Sequence, residues 1–155
     1  MNYLIAKWLH VLSSTLLFGT GLGSAYYMFF ASRTRDPRTV ATVVRYVVLA
    51  DWLFTTTTII FQPLSGWYMA HLAQMPLLQT KWILWSIVLY FVAGACWLPV
   101  VWLQLRMQRM AEQAVRQGTP LPPLYDRYLR IWTALGFPAF FALVIVFYLM
   151  VAKPG

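Results

Sequence analysis

The chain has 155 residues, 61% of them apolar, 17% aromatic and only 10% charged, a composition that excludes an ordinary soluble domain. Its formal net charge of +8 is no argument for nucleic acid, because the basic residues fall between long apolar stretches, where they set membrane topology. A single cysteine, Cys96, excludes an internal disulfide and any cysteine-based zinc site and reads as a small packing residue.

Residues 11–32, 52–80, 82–105 and 131–152 carry no Asp, Glu, Lys or Arg, and each reaches the ~20 residues that a membrane helix needs. The expectation is an all-α membrane four-helix bundle forming one domain over residues 1–155, with helices at about 3–31, 42–70, 81–105 and 131–152. The first stretch is too long for a signal-peptide core and is followed by arginines, so it reads as a retained helix.

Helix one opens with Lys7-Trp8-Leu9-His10, a lysine and an imidazole one turn apart. Ionisable side chains in a bilayer are costly and mark a candidate site. His10, Ser14, Leu17 and Gly21 share a helical face, and Thr15, Gly19 and Gly23 form a second, small-residue line suited to helix contact. The connection 32–41 holds Arg33, Arg35 and Arg38, and Asp36-Pro37 fits a turn into the next helix.

Helix two carries Asp51, Thr55, Thr58, Gln62 and Ser65 at alternating steps of 4 and 3, which places them on one face. Such a stripe should look into the bundle or a wet groove. Pro63 should kink the helix and free a carbonyl about one turn back. After a short loop containing His71, Lys81 opens helix three, which carries Trp82, Trp85, Tyr90, Trp97 and Trp102. Residues 106–130 form a second basic connection, in which 107–115 are expected to continue the helix as an exposed segment until Gly118 and the prolines break it. The last helix should kink near Pro138. Nine of the twelve Lys and Arg lie in or beside the two basic connections, so the positive-inside rule predicts that side to be cytoplasmic and both termini to lie outside.

Three readings compete for His10: an axial ligand to haem iron, a metal-free proton-relay or substrate residue, and a side chain bonded to a neighbouring helix. Copper is a weaker option, because the two histidines, His10 and His71, form no paired pattern. Lys7 and Lys81 favour an anionic ligand, and Asp51 offers a polar track leading inward.

The stretch Ala6-Lys7-Trp8-Leu9-His10, together with Pro63, Gly66 and Thr80-Lys81-Trp82-Ile83-Leu84 running on to Tyr90, resembles the bacterial four-helix membrane protoporphyrinogen IX oxidase. The copper-resistance D membrane domain shares a related plan. With Asp51-Trp52 and Cys96-Trp97-Leu98-Pro99-Val100, the whole chain resembles a group of small bacterial inner-membrane proteins defined only as a domain of unknown function. The resemblance to the oxidase implies that His10 takes the haem-linked histidine position and Lys81 the essential lysine position. It departs at Tyr90, where the oxidase helix usually carries a further histidine.

The sequence thus points to a multi-pass protein of the bacterial inner membrane that binds haem b or a porphyrin, as a redox enzyme or an electron-transfer subunit. His10 would hold the metal, Lys7 and Lys81 would hold carboxylates, and Lys81 could instead move a proton. Gln62, Trp85 and Tyr90 would line the pocket. The alternative is an accessory or assembly subunit, or a small proton-coupled transporter using the Asp51 stripe. Expected partners are the lipid bilayer and copies of the chain or other membrane subunits, with no nucleic acid.

Overall fold

A computed structural model describes residues 2–154. Helix α1 spans Tyr3–Arg33, α2 Pro37–Ala50, α3 Thr56–Leu72, α4 Lys81–Gln117 and α5 Pro123–Ala152, and a π-helical turn at Asp51–Thr55 joins α2 to α3 without a break. The molecule is therefore four antiparallel rods, α1, α2–α3, α4 and α5. Local chemistry sets the ends. The Asp36 carboxylate accepts from the amides of Arg38 and Thr39 at 3.3 and 3.0 Å, and Pro37 occupies the first turn, where its missing N–H costs nothing. Gly118 ends α4 with φ +63°, a conformation that favours glycine.

Three rods are long and apolar enough to cross a bilayer: Pro37–Leu72, Lys81–Gln117 and Pro123–Ala152. Four were expected. Helix α1 has the length, 31 residues, but its serines, threonines and glycines, with Lys7 and His10, make it less apolar than the others. At 1.5 Å per residue, α4 measures about 55 Å, well beyond the ~30 Å of a hydrocarbon core.

The surplus length lies at the arginine-rich end, where both connections shrink to residues 34–36 and 118–122. Here the expected exposed segment 107–115 is corrected. Met107, Ala111 and Ala114 repeat at steps of 4 and 3, and all three are buried. The arginines between them mask this apolar stripe in a reading by composition. Met107 and Ala111 join Met28, Val40, Val44, Val47, Leu103, Tyr125 and Trp132 in one core. The Tyr125 hydroxyl and Ser32 Oγ share a hydrogen bond of 2.7 Å, and Arg35 pairs with Asp126 at 3.0 Å.

Towards the opposite end the rods separate into pairs, α3 lying on α1 and α4 on α5. Between α1 and α5, Phe18 packs against Phe140 and Phe147, with ring centroids 5.4 Å apart in each case. Lys153 lies over the Trp82 ring at 5.8 Å, which puts the end of α5 beside the start of α4. Lys7, Lys81 and Lys153 thus gather at one end and the arginines at the other. The glycines of the expected small-residue line on α1 meet no partner among the described residues: a Cβ at Gly19 or Gly23 would meet nothing within 4 Å.

Bonds from the Thr39 hydroxyl and amide hold the Asp36 carboxyl below the usual carboxylate range. This cap contributes fully above the unfolded-state pKa, and its contribution is lost as pH falls through the lower folded value. Thermal unfolding in detergent across acid pH should therefore show a steeper acid loss for the wild type than for Asp36→Asn, which caps without titrating. Parallel curves would remove Asp36 from the acid sensitivity.

Candidate functional site

His10 sits on the buried face of α1 with Ala6, Ser13, Ser14 and Leu17. Lys7 and Gly21 fall off that face and are exposed. The His10 ring meets α3. Its Nδ1 lies 2.7 Å from Ser65 Oγ, and Ser65 Oγ lies 2.8 Å from the Phe61 carbonyl. A contact this short requires one proton between His10 and Ser65. With the serine proton donated to Phe61, Nδ1 carries that proton and Nε2 keeps its lone pair.

Gln62 straddles the same turn of α1. Oriented to satisfy the network, its amide nitrogen donates to the His10 carbonyl at 3.2 Å and its oxygen accepts from the Ser14 amide at 3.2 Å. The nitrogen also lies 3.0 Å from Nδ1, a donor for that atom if the ring proton moves to Nε2. On the other side, a Cβ at Gly66 would sit 3.5 Å from His10 Cε1, so only a glycine backbone flanks the ring there.

Every member of the predicted stripe is buried: Asp51, Thr55, Thr58, Gln62 and Ser65. It does not form one chain of hydrogen bonds. Thr58 donates back to the carbonyls of Phe54 and Thr55, which leaves its hydroxyl no proton for Gln62. The stripe instead divides into two clusters about 20 Å apart along the rod. The lysine-end cluster is His10, Ser65, Gln62 and Ser14. At the arginine end, Asp51 Oδ1 accepts from Thr55 Oγ1 at 2.8 Å. Asp51 opens the π turn, and its carbonyl accepts from Thr56 Oγ1 at 3.0 Å. Such turns are frequent at functional sites.

The other predicted residues scatter. Lys7 and Lys81 are exposed at the lysine end. Trp85 is 59% exposed on α4. His71 is exposed and stacks on Trp67 with centroids 5.8 Å apart. It lines both of two shallow surface depressions, of about 480 and 440 Å³, and His10 lines neither. Tyr90 has a structural partner: its hydroxyl donates to the Ile59 carbonyl, the one four residues before Pro63 that the proline leaves without its helical donor. Among the described residues no group of three or more His, Cys, Asp or Glu comes together, so His10 stands as a lone imidazole.

Sequence reasoning missed Gln104 and Trp132, both buried polar side chains on rods rich in apolar residues. A signal was present for Gln104, a lone amide just before the arginines of α4. For Trp132, one of eight tryptophans, there was none.

The Tyr90–Ile59 bond yields a conditional prediction. Tyr90→Phe should cost about 1 kcal/mol. In a Pro63→Ala background, where the new amide can reach Ile59 itself, it should cost almost nothing. A double-mutant cycle on unfolding in mixed micelles reads this difference. An equal cost in both backgrounds would detach Tyr90 from the kink.

A family model described as a predicted integral membrane protein, DUF2269, matches residues 4–154. No curated protein and no solved structure matches the chain. The match bears out the membrane-family part of the expected resemblance; the likeness to the oxidase rests on the residues quoted for it. With nearly its whole length matched and three rods apolar enough to span a bilayer, the chain belongs to the DUF2269 family of integral membrane proteins.

Proposed function

We propose that the protein binds haem b or a porphyrin in the bacterial inner membrane, with His10 as the iron ligand, its arginine-rich end towards the cytoplasm and both termini on the other side. The observation that carries this reading is the 2.7 Å hydrogen bond between His10 Nδ1 and Ser65 Oγ, read with the ring proton on Nδ1. An imidazole that donates from one nitrogen and keeps the lone pair of the other is in the form that binds iron, and its second partner fixes the ring. The glycine backbone at Gly66 suits a flat ligand, and the exposed Lys7 and Lys81 at the same end suit its carboxylates. Gln62 adds a polar contact from α3. Bound haem would supply one-electron chemistry, as an electron-transfer subunit or in an oxidase of the protoporphyrinogen type. The chain's own part is to orient the imidazole through Ser65 and Gln62 and to present the lysine charges. Lys81 is the candidate proton carrier. The open glycine line on α1 suits a second copy or another subunit.

A second reading, an accessory subunit or small proton-coupled transporter, is favoured by the burial of Asp51 at a π turn. It predicts dependence on Asp51 and indifference to a chromophore.

The test is an absorbance spectrum of detergent-purified protein made with haem precursor supplied, oxidised and dithionite-reduced. The wild type should show a Soret band and reduced α and β bands. His10→Ala should lose them. Ser65→Ala should bind haem about 10–100-fold more weakly, the usual effect of losing such a partner. A wild type that stays colourless after haem is added would overturn the proposal and leave the Asp51 reading.

A further inference from the structure

Nine arginines lie at one end of the molecule, and among the described residues only Arg35 is paired with a carboxylate, that of Asp126 at 3.0 Å. The other acids at this end are engaged as well. Asp36 caps α2, and Glu112 accepts from Gln108 at 2.9 Å. The arginine-rich end therefore carries guanidinium groups with no internal anion to meet.

One of them is held in a defined place. Arg106 directly follows the uncharged stretch 82–105 of α4, and its guanidinium lies over the Trp102 ring at 5.3 Å. The Trp102 ring in turn meets Tyr128 of α5, with centroids 5.7 Å apart. Tyr128 stands three residues before the uncharged stretch 131–152 begins. These contacts gather a guanidinium, an indole and a phenol on the α4–α5 seam, at the level where both apolar stretches end. All three side chains can donate hydrogen bonds, and none of them is engaged in one among the described residues. Arg106 and Trp102 are exposed and Tyr128 is half-buried. Arg109 shares the face of Trp102 and Arg106, and Arg127 and Arg130 flank Tyr128; these three arginines are exposed too.

We propose that Trp102, Arg106 and Tyr128 bind the phosphate of a net-anionic phospholipid, of the phosphatidylglycerol class, in the leaflet at the arginine-rich end. Arg106 supplies the charge. The indole N–H and the phenol O–H complete the donor set around the phosphate oxygens, and the two rings rest against the acyl chains, as amphipathic rings do at a membrane surface. The surroundings select the net charge. A zwitterionic headgroup brings an ammonium, which would meet Arg109, Arg127 and Arg130, while the carboxylates of Asp126 and Glu112 that could receive it are already bonded. Arginines at the end of a span record topology in any membrane protein; the aromatic clasp on Arg106 is what points to a bound headgroup. The site rests on the chain spanning a bilayer and is independent of haem at His10.

The experiment is native mass spectrometry of the full-length protein in detergent, titrated with phosphatidylglycerol or phosphatidylethanolamine of the same acyl chains. The wild type should hold phosphatidylglycerol several-fold more tightly. Arg106→Gln should weaken that binding about fivefold. Tyr128→Phe, which keeps the ring and removes only the donor, should weaken it too and decides the matter if Arg106→Gln fails to fold. Arg116→Gln, about 15 Å further along α4 and beyond the reach of a screened charge, should leave it unchanged. Equal retention of the two lipids by the wild type, binding unchanged in Arg106→Gln or in Tyr128→Phe, an equal loss in Arg116→Gln, or displacement of the lipid by excess inorganic phosphate would overturn the proposal.

Discussion

A polar side chain buried between helices has no solvent to fall back on, and the contact of His10 with Ser65 shows how this chain meets that constraint. Helix α1 carries serines, threonines and a histidine that lipid would not accept. Its docking on α3 turns that liability into a seam, in which Ser65 and Gln62 serve both the imidazole and the backbone beside it.

The opposite end is built differently. Methionine, valine and alanine side chains close a conventional core there, and Ser32–Tyr125 and Arg35–Asp126 fasten its rim. The two ends therefore have separate physical roles. The arginine-rich half holds the four rods together. In the lysine-rich half the rods pair off, and the Tyr90–Ile59 bond reaches across from α4 to α3. A site that must admit a ligand is more easily built where helices diverge than where a core closes them.

Much of this was legible in the residues. The steps of 4 and 3 from Asp51 to Ser65 announced a buried face, and Asp36-Pro37 announced a helix start. Pro63 announced a freed carbonyl, but nothing local said that Tyr90, far along the chain, would cap it; an aromatic on a facing helix reads equally well as pocket lining. The burial of Met107, Ala111 and Ala114 was hidden by the arginines around them. Gln104 offered only a hint, a lone amide before the arginines of α4, and Trp132 none, for a related reason. Their burial depends on how α4 and α5 pack in the bundle, which periodicity within a single helix does not encode. The division of the stripe into two clusters was likewise invisible, because it depends on Thr58 turning its hydroxyl back to its own helix.

The measurement that tests the account most directly is the coupling between His10 and Ser65. A double-mutant cycle of His10→Ala and Ser65→Ala, read as unfolding free energy in lipid–detergent micelles, isolates their interaction from the effect of each change alone. The account predicts a coupling of about 0.6–1.7 kcal/mol, the range of an average to strong interhelical bond in a membrane. Costs that add to within about 0.3 kcal/mol would mean that the two side chains are neighbours without being partners, and that something other than this bond holds α1 against α3.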